Sequence, residues 1–138
     1  LNVGLGTDGC SSNNTLNMFK EMAICSFVQK VNAMNPTVLP AEEILNMATI
    51  GGAKVLRWDD EIGTLEVGKK ADLILVDIDK PHFAPWNNPV SDLVYSAQGS
   101  DVKTTIVNGK ILMKDYEVLT LDVERIMAET ERIARNVL

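Results

Sequence analysis

The spacing of apolar residues changes once along this 138-residue chain, close to Trp58, and that change constrains the fold more than any other feature. Before it, apolar side chains recur every three or four positions, which is the period of an amphipathic helix. After it, short apolar runs alternate with glycine, asparagine and proline, which is typical of strands and turns. We therefore expect an α/β chain in two parts, residues 1–58 and residues 59–138.

Local signals place the individual elements. Pro40 suits the first position of a helix, and the dipeptide Asn108–Gly109 is a strong signal for a two-residue hairpin turn. Prolines disfavour both regular helix and sheet, so they indicate a loop where they cluster. The predicted elements are helices over residues 15–33 and 122–137, a helix opening at Pro40, a strand over residues 71–78, paired strands over residues 104–107 and 110–113, and an irregular loop over residues 81–89.

A single aspartate, Asp8, follows the apolar, glycine-rich residues 2–7, and turn-forming residues come after it. This pattern predicts a buried strand that ends at a loop. A buried carboxylate without a partner is costly, so Asp8 requires a role. From the residues alone two roles stay open. One is capping or loop structure, shared with Ser11, Ser12 and Asn13, and the other is metal binding or catalysis.

The composition excludes some classes of partner. The net charge of −6 argues against a basic face for nucleic acid. No apolar run approaches the roughly 20 residues of a membrane-spanning helix, and no signal peptide is visible. Cys10 and Cys25 lack the spacing of a metal-binding motif, so reduced thiols are expected. Together these observations predict a cytoplasmic protein that binds neither nucleic acid nor membrane.

Four stretches, taken in order, resemble the carboxyl-terminal third of the amidohydrolase superfamily. They are GLGTDGCSSNNTLNMFKEM, ILNMATIGGAKVL, EIGTLEVGKKADLILVD and TTIVNGKILMKD. The nearest branch is that of the 5-methylthioadenosine/S-adenosylhomocysteine deaminases and chlorohydrolases. The resemblance implies a fragment of a (β/α)8 metal-dependent hydrolase barrel, with its last strand and helices, part of a small β-sandwich and a carboxyl-terminal helix. A chain that starts at Leu1, within an expected strand, is also expected to be a fragment.

The resemblance assigns Asp8 as metal ligand and catalytic residue, because the family places a metal-binding aspartate after the eighth strand. One divalent metal ion is implied, with zinc preferred and iron or nickel left open. Such an ion lowers the pKa of a bound water molecule to about 7, and a neighbouring carboxylate can take the released proton and pass it to departing ammonia. The implied parent reaction is hydrolytic deamination of a nucleoside-like small molecule, 5-methylthioadenosine or S-adenosylhomocysteine.

Three alternatives stay open: a triazine chlorohydrolase, a guanine deaminase, or a non-catalytic module that self-associates. The family's other metal ligands, a His-x-His pair and later histidines, have no counterpart here. The chain alone is therefore expected to be inactive, to hold no tight metal and to form homo-oligomers through exposed apolar faces. His82 is expected to be structural or solvent-facing, and Asp72 to be buried with a role at a turn or sheet edge.

Overall fold

The computed structural model describes residues 1–137, with side chains described through Asn136. Residues 1–58 form helices and no strand, whereas all four strands lie within residues 59–137 together with two further α-helices. The α-helices are α1, Met18–Ala33; α2, Ala41–Asn46; α3, Gly52–Leu56; α4, Pro89–Tyr95; and α5, Val123–Val137. The strands are β1, Leu73–Val76; β2, Val102–Val107; β3, Lys110–Lys114; and β4, Glu117–Val118.

Helix α1 begins at Met18 instead of residue 15 because Asn17 forms its N-cap. The Asn17 Oδ1 accepts hydrogen bonds from the backbone N–H groups of Phe19, at 3.1 Å, and Lys20, at 3.4 Å. These bonds satisfy two of the donors that a helix start leaves unpaired. The helix ends at Ala33, and its C-cap, Met34, takes the left-handed conformation with φ 49°.

A π-helical turn, Met47–Gly51, joins α2 to α3, so the glycines near position 51 do not interrupt the helical path. A Cβ atom at Gly51 would lie 2.7 Å from the carbonyl oxygen of Val3 and 2.9 Å from that of Asn46. Both distances are shorter than a real contact allows. Glycine is therefore required at position 51, because the first residues of the chain pass directly over the helix here.

The strand predicted over residues 2–7 is not formed in the structure. This segment is largely exposed, including the side chain of Val3, and it lies outside the sheet that the structure describes. A strand requires a neighbouring strand to pair its N–H and C=O groups, and this segment has none within residues 1–137. It is attached instead to the π-helical turn, where the backbone N–H of Leu5 donates to the carbonyl of Met47 at 3.0 Å.

The four strands form an antiparallel sheet in the order β1-β2-β3-β4. The predicted hairpin is confirmed, since Val107 pairs with Lys110 across the turn. Asn108 and Gly109 both have positive φ, 48° and 76°, which is the backbone of a type I′ turn. The local turn chemistry therefore sets the register of β2 against β3.

Asp72 holds this hairpin turn from the residue before β1. Its Oδ1 accepts the backbone N–H of Asn108 at 2.6 Å, and the carbonyl of Ala71 accepts that of Gly109 at 3.0 Å. The expected role at a turn is confirmed. The expected burial is wrong, because the carboxylate of Asp72 lies at the exposed end of the hairpin.

A helix that the sequence did not predict begins at Pro89, the last residue of the proline-rich segment over residues 81–89. Pro89 occupies the first position of α4, and the Asn88 side chain caps the helix by accepting the N–H of Ser91 at 3.0 Å. A proline at this position starts a helix instead of blocking one. Helix α4 packs against α1 and α2. The buried core they share consists of Met22, Ala41, Ile44 and Val94.

Helix α5 agrees closely with the prediction for residues 122–137. Asp122 precedes it, and its Oδ1 accepts the N–H of Arg125 at 2.9 Å, which is an N-cap hydrogen bond.

None of the helices within residues 1–137 combines the length and the apolar content needed to cross a membrane.

Candidate metal-binding site at Asp8

Asp8 lies in a tight turn after the amino-terminal segment, and its carboxylate is held at both oxygens. The backbone N–H of Gly9 donates to Oδ1 at 2.7 Å, and the hydroxyl of Ser12 donates to Oδ2 at 2.9 Å. The residue is exposed and has φ 57°, in the left-handed region that aspartate tolerates better than most residues. The turn therefore presents the carboxylate to solvent in a defined orientation.

These hydrogen bonds also set the charge of the group. The N–H of Gly9, followed by the hydroxyl of Ser12, holds the pKa of the Asp8 carboxyl below its ordinary value. Asp8 is therefore ionised at neutral pH. Each oxygen accepts one protein hydrogen bond and keeps lone-pair capacity, which fits a carboxylate ligand of a divalent cation such as Zn²⁺.

The loop after Asp8 is fixed by Asn13. Its Nδ2 donates to the carbonyl of Thr7 at 2.9 Å and to Oε1 of Glu21 at 2.6 Å. Neither Ser12 nor Asn13 caps α1, so the capping alternative is wrong for both side chains. The contact of Glu21 with this loop was not predictable from the sequence, because a polar residue on an amphipathic helix gives no sign of what it contacts across the fold.

Other candidate ligands are not gathered around Asp8. Cys10 is exposed, and within residues 1–137 no group of three or more His, Cys, Asp or Glu side chains is placed to hold a metal ion. Within that range Asp8 is therefore not part of such a group.

His82 has a structural contact elsewhere. Its Nε2 lies 2.9 Å from Oδ2 of Asp101, a side chain with only 2% of its surface exposed. Burial raises the pKa of Asp101, but hydrogen bonds from Lys80, from the backbone N–H of Gln98 and from His82 outweigh it and hold the pKa below the ordinary value. The structural role expected for His82 is confirmed. Asp101 was missed because its side-chain partners, Lys80 and His82, lie 21 and 19 positions away in the sequence.

Asp8 is thus an exposed, ionised carboxylate in an α/β chain, with free lone pairs that suit a metal ion. The sequence profile of the amidohydrolase family matches residues 1–112 of the chain. The chain therefore belongs to the amidohydrolase family.

Individual relatives agree with this membership. The chain is 53% identical over 138 residues to the 5-methylthioadenosine/S-adenosylhomocysteine deaminase of Thermoanaerobacter pseudethanolicus, covering all of this chain and 32% of that protein. The structure matches a zinc-bound adenosine deaminase from Xanthomonas campestris with a TM-score of 0.95 and 35% identity, over 99% of this chain and 31% of the other. It matches the zinc complex of the atrazine chlorohydrolase TrzN from Arthrobacter aurescens TC1 with a TM-score of 0.86 and 29% identity, over 96% and 29% of the two chains. The chain thus spans about a third of the length of the relatives it matches.

Proposed function

We propose that this chain contributes the metal-binding aspartate, Asp8, to a hydrolytic deaminase that acts on adenosine-like nucleosides. The observation that carries the proposal is the exposed, ionised carboxylate of Asp8, held at both oxygens in a chain of the amidohydrolase family. The substrate class is supported by the relative named for 5-methylthioadenosine and S-adenosylhomocysteine, which is 53% identical to this chain.

Asp8 has two tasks in this proposal. Its oxygens use the lone pairs left free by Gly9 and Ser12 to hold the cation. It also accepts a proton when the oxygen of water adds to the ring carbon that bears the amino group and the adjacent ring nitrogen takes the electron pair of the C=N bond. It returns this proton to the amino nitrogen as that C–N bond breaks, ammonia leaves and the ring carbonyl forms, while the second proton of the water ends on the ring nitrogen. A divalent ion, when bound, supplies the Lewis acidity that makes water nucleophilic at neutral pH.

Zinc is the metal that we propose. The solved adenosine deaminase and atrazine chlorohydrolase structures both contain zinc. Zinc also accepts carboxylate oxygen beside nitrogen ligands and leaves one position open for water in catalytic sites. Iron and nickel are the alternatives, and metal analysis of the purified protein separates them.

The boundary between the two parts is proposed at residues 58 and 59. It is supported by the change from α1, α2 and α3 to the four-stranded sheet. Helix α4 comes from the second part but packs against α1 and α2, so it would connect the two.

We also propose self-association, supported by exposed apolar side chains such as Val31 and Met34 at the end of α1.

The test is an ammonia-release assay on the protein expressed from the full gene, with 5-methylthioadenosine, S-adenosylhomocysteine and adenosine as substrates. Activity should require zinc and should be lost in Asp8→Ala. The matched control is Asp115→Asn, which changes another exposed aspartate in the left-handed conformation, with φ 49°. Equal ammonia release by Asp8→Ala and the parent would contradict the proposal.

A second candidate function is chloride release from a chlorinated triazine. It is favoured by the match to atrazine chlorohydrolase at a TM-score of 0.86, although that protein is only 29% identical to this chain. The same preparation is tested with atrazine. Chloride release without ammonia release would contradict the deaminase proposal and support the chlorohydrolase function.

A further inference from the structure

A side chain outside the proposed chemistry lies directly behind Asp8. Asn13 is half-buried and uses all the hydrogen-bonding positions of its amide. Its Nδ2 donates to the carbonyl of Thr7 at 2.9 Å and to Oε1 of Glu21 at 2.6 Å. Its Oδ1 accepts the backbone N–H and the hydroxyl of Thr15, both at 3.1 Å. Because an asparagine amide offers two donors and two acceptor sites, this one is fully satisfied.

The bond to Thr7 acts on Asp8 through the backbone. The Thr7 carbonyl belongs to the peptide group that joins Thr7 to Asp8. By bonding this carbonyl, Asn13 fixes the orientation of the peptide plane that precedes the Asp8 Cα. The N–H of Gly9, 2.7 Å from Asp8 Oδ1, fixes the peptide group on the other side. Asp8 is thereby kept at φ 57°, a conformation that costs a non-glycine residue about 1 kcal/mol and persists where its surroundings determine it.

Glu21 connects this arrangement to the rigid part of the fold. It lies in the first turn of α1, where a negative charge is favoured by the helix dipole. Its bond to Asn13 has an ionic acceptor, which makes it stronger than a bond between neutral groups. The next residue, Met22, is buried in the core shared by α1, α2 and α4. The loop that carries Asp8 is therefore attached, through Glu21, to helices that are packed in the core.

We propose that Asn13, held by Glu21, is a positioning residue that fixes the direction of the Asp8 carboxylate for metal binding. The inference rests on the proposed function, because it takes Asp8 as a metal ligand. Side chains that orient metal ligands without touching the metal typically change metal affinity about 10- to 100-fold when they are removed.

The first measurement is zinc affinity, by competition with a chromophoric chelator, in the protein expressed from the full gene. Asn13→Ala should weaken zinc binding about 10- to 100-fold. The matched control is Asn14→Ala, because the neighbouring Asn14 is exposed and its side chain makes no hydrogen bond within residues 1–137. Glu21→Gln keeps an acceptor oxygen and should bind zinc nearly as the parent does, whereas Glu21→Leu should show the loss seen in Asn13→Ala.

A second measurement does not depend on the metal. Hydrogen exchange of residues 7–13 in the metal-free protein should become faster in Asn13→Ala and Glu21→Leu, but not in Glu21→Gln or Asn14→Ala. Circular dichroism reports whether each variant folds. If Asn13→Ala does not fold, the comparison of Glu21→Gln with Glu21→Leu decides the proposal.

The outcomes separate this inference from the proposed function. Parent-like zinc affinity in Asn13→Ala, together with lost zinc binding in Asp8→Ala, overturns the positioning role and leaves the deaminase proposal intact. Parent-like zinc binding in Asp8→Ala overturns the proposed function itself. An equal loss of zinc affinity in Glu21→Gln and Glu21→Leu also overturns the positioning role, because the acceptor oxygen that Gln retains at position 21 would then have no effect.

Discussion

The imidazole Nε2 of His82 lies 2.9 Å from Oδ2 of Asp101, and this carboxylate is almost completely buried. Its other oxygen accepts Lys80 Nζ at 2.9 Å, and Oδ2 also accepts the backbone N–H of Gln98 at 2.8 Å. A buried carboxylate is stable only when it is paired in this way. The pair connects the 3₁₀ turn Pro81–Phe83 to the turn that precedes β2.

The first prediction concerns acid stability. The pKa of Asp101 is lower in the folded protein than in the unfolded chain, where an aspartate has a pKa of about 3.9. Its stabilising contribution is therefore complete above that value and is lost as the pH falls through the folded-state pKa. Asp101→Asn should lower the free energy of unfolding at pH 7 by about 2 kcal/mol and reduce the loss of stability below about pH 4.

Urea denaturation between pH 3 and pH 7 measures this effect. The control is Asp79→Asn, an exposed aspartate near the same turn, which should leave the profile unchanged. An Asp101→Asn variant with the stability and pH dependence of the parent would show that the buried pair contributes nothing net.

The second prediction separates the two tasks of Asp8. Asp8→Asn keeps the shape and one potential ligand oxygen but cannot accept a proton, so it should retain part of the zinc and very little ammonia release. Asp8→Ala removes both functions and should lose the zinc as well. Metal analysis beside the ammonia assay, on protein expressed from the full gene, makes the comparison. Deamination by Asp8→Asn at nearly the parent rate would refute the proton role.

The third prediction concerns Gly51. Alanine normally favours a helix over glycine by about 1 kcal/mol, yet here a Cβ would lie 2.7 Å from the Val3 carbonyl oxygen. Gly51→Ala should therefore destabilise the protein, by about 1–3 kcal/mol, as overpacking does elsewhere. Gly6→Ala is the control, because a Cβ at Gly6 meets no atom within 4 Å. Thermal denaturation of both variants tests this, and a Gly51→Ala variant more stable than the parent would contradict the close approach.

The fourth prediction concerns self-association of the 138-residue chain. Val31 and Met34 are 71% and 89% exposed near the end of α1, and exposed apolar surface favours association. Light scattering should give a mass above that of the monomer, and Val31→Glu should lower it. Gln29→Glu adds the same charge to the same helix at a polar position and should change the mass less. A monomer at high concentration would argue against this surface as an interface.

The features predicted from sequence are those that neighbouring residues determine. The turn at Asn108–Gly109 sets its own hairpin, and the charged helix that follows Asp122 begins at its own cap. The local motif around Asp8 left its role open, and its assignment as metal ligand came from the family resemblance and stays a prediction. Helix α4 was missed because the same prolines that suggested a loop included Pro89, whose effect depends on its position in the helix.

What could not be predicted depends on contacts between distant residues. The bond between His82 and Asp101 joins residues 19 positions apart, and that between Asn13 and Glu21 joins a loop to a helix face. The segment over residues 2–7 has the composition of a strand, but pairing needs a partner that composition does not specify. The position of residues 2–7 is determined instead by the close approach of Val3 to Gly51 and by the hydrogen bond from Leu5 to the carbonyl of Met47.

The π-helical turn Met47–Gly51 also makes the packing of this region sensitive to the number of residues in the turn. Each residue of an α-helix advances its neighbours by about 100° around the axis. If one residue were deleted between Met47 and Gly51, every side chain of α3 would rotate by about that angle relative to α2. The surface now formed by Gly51 would then carry a different residue. The number of residues in this turn, as much as their identity, therefore determines whether the segment leading to Asp8 can lie against the helix.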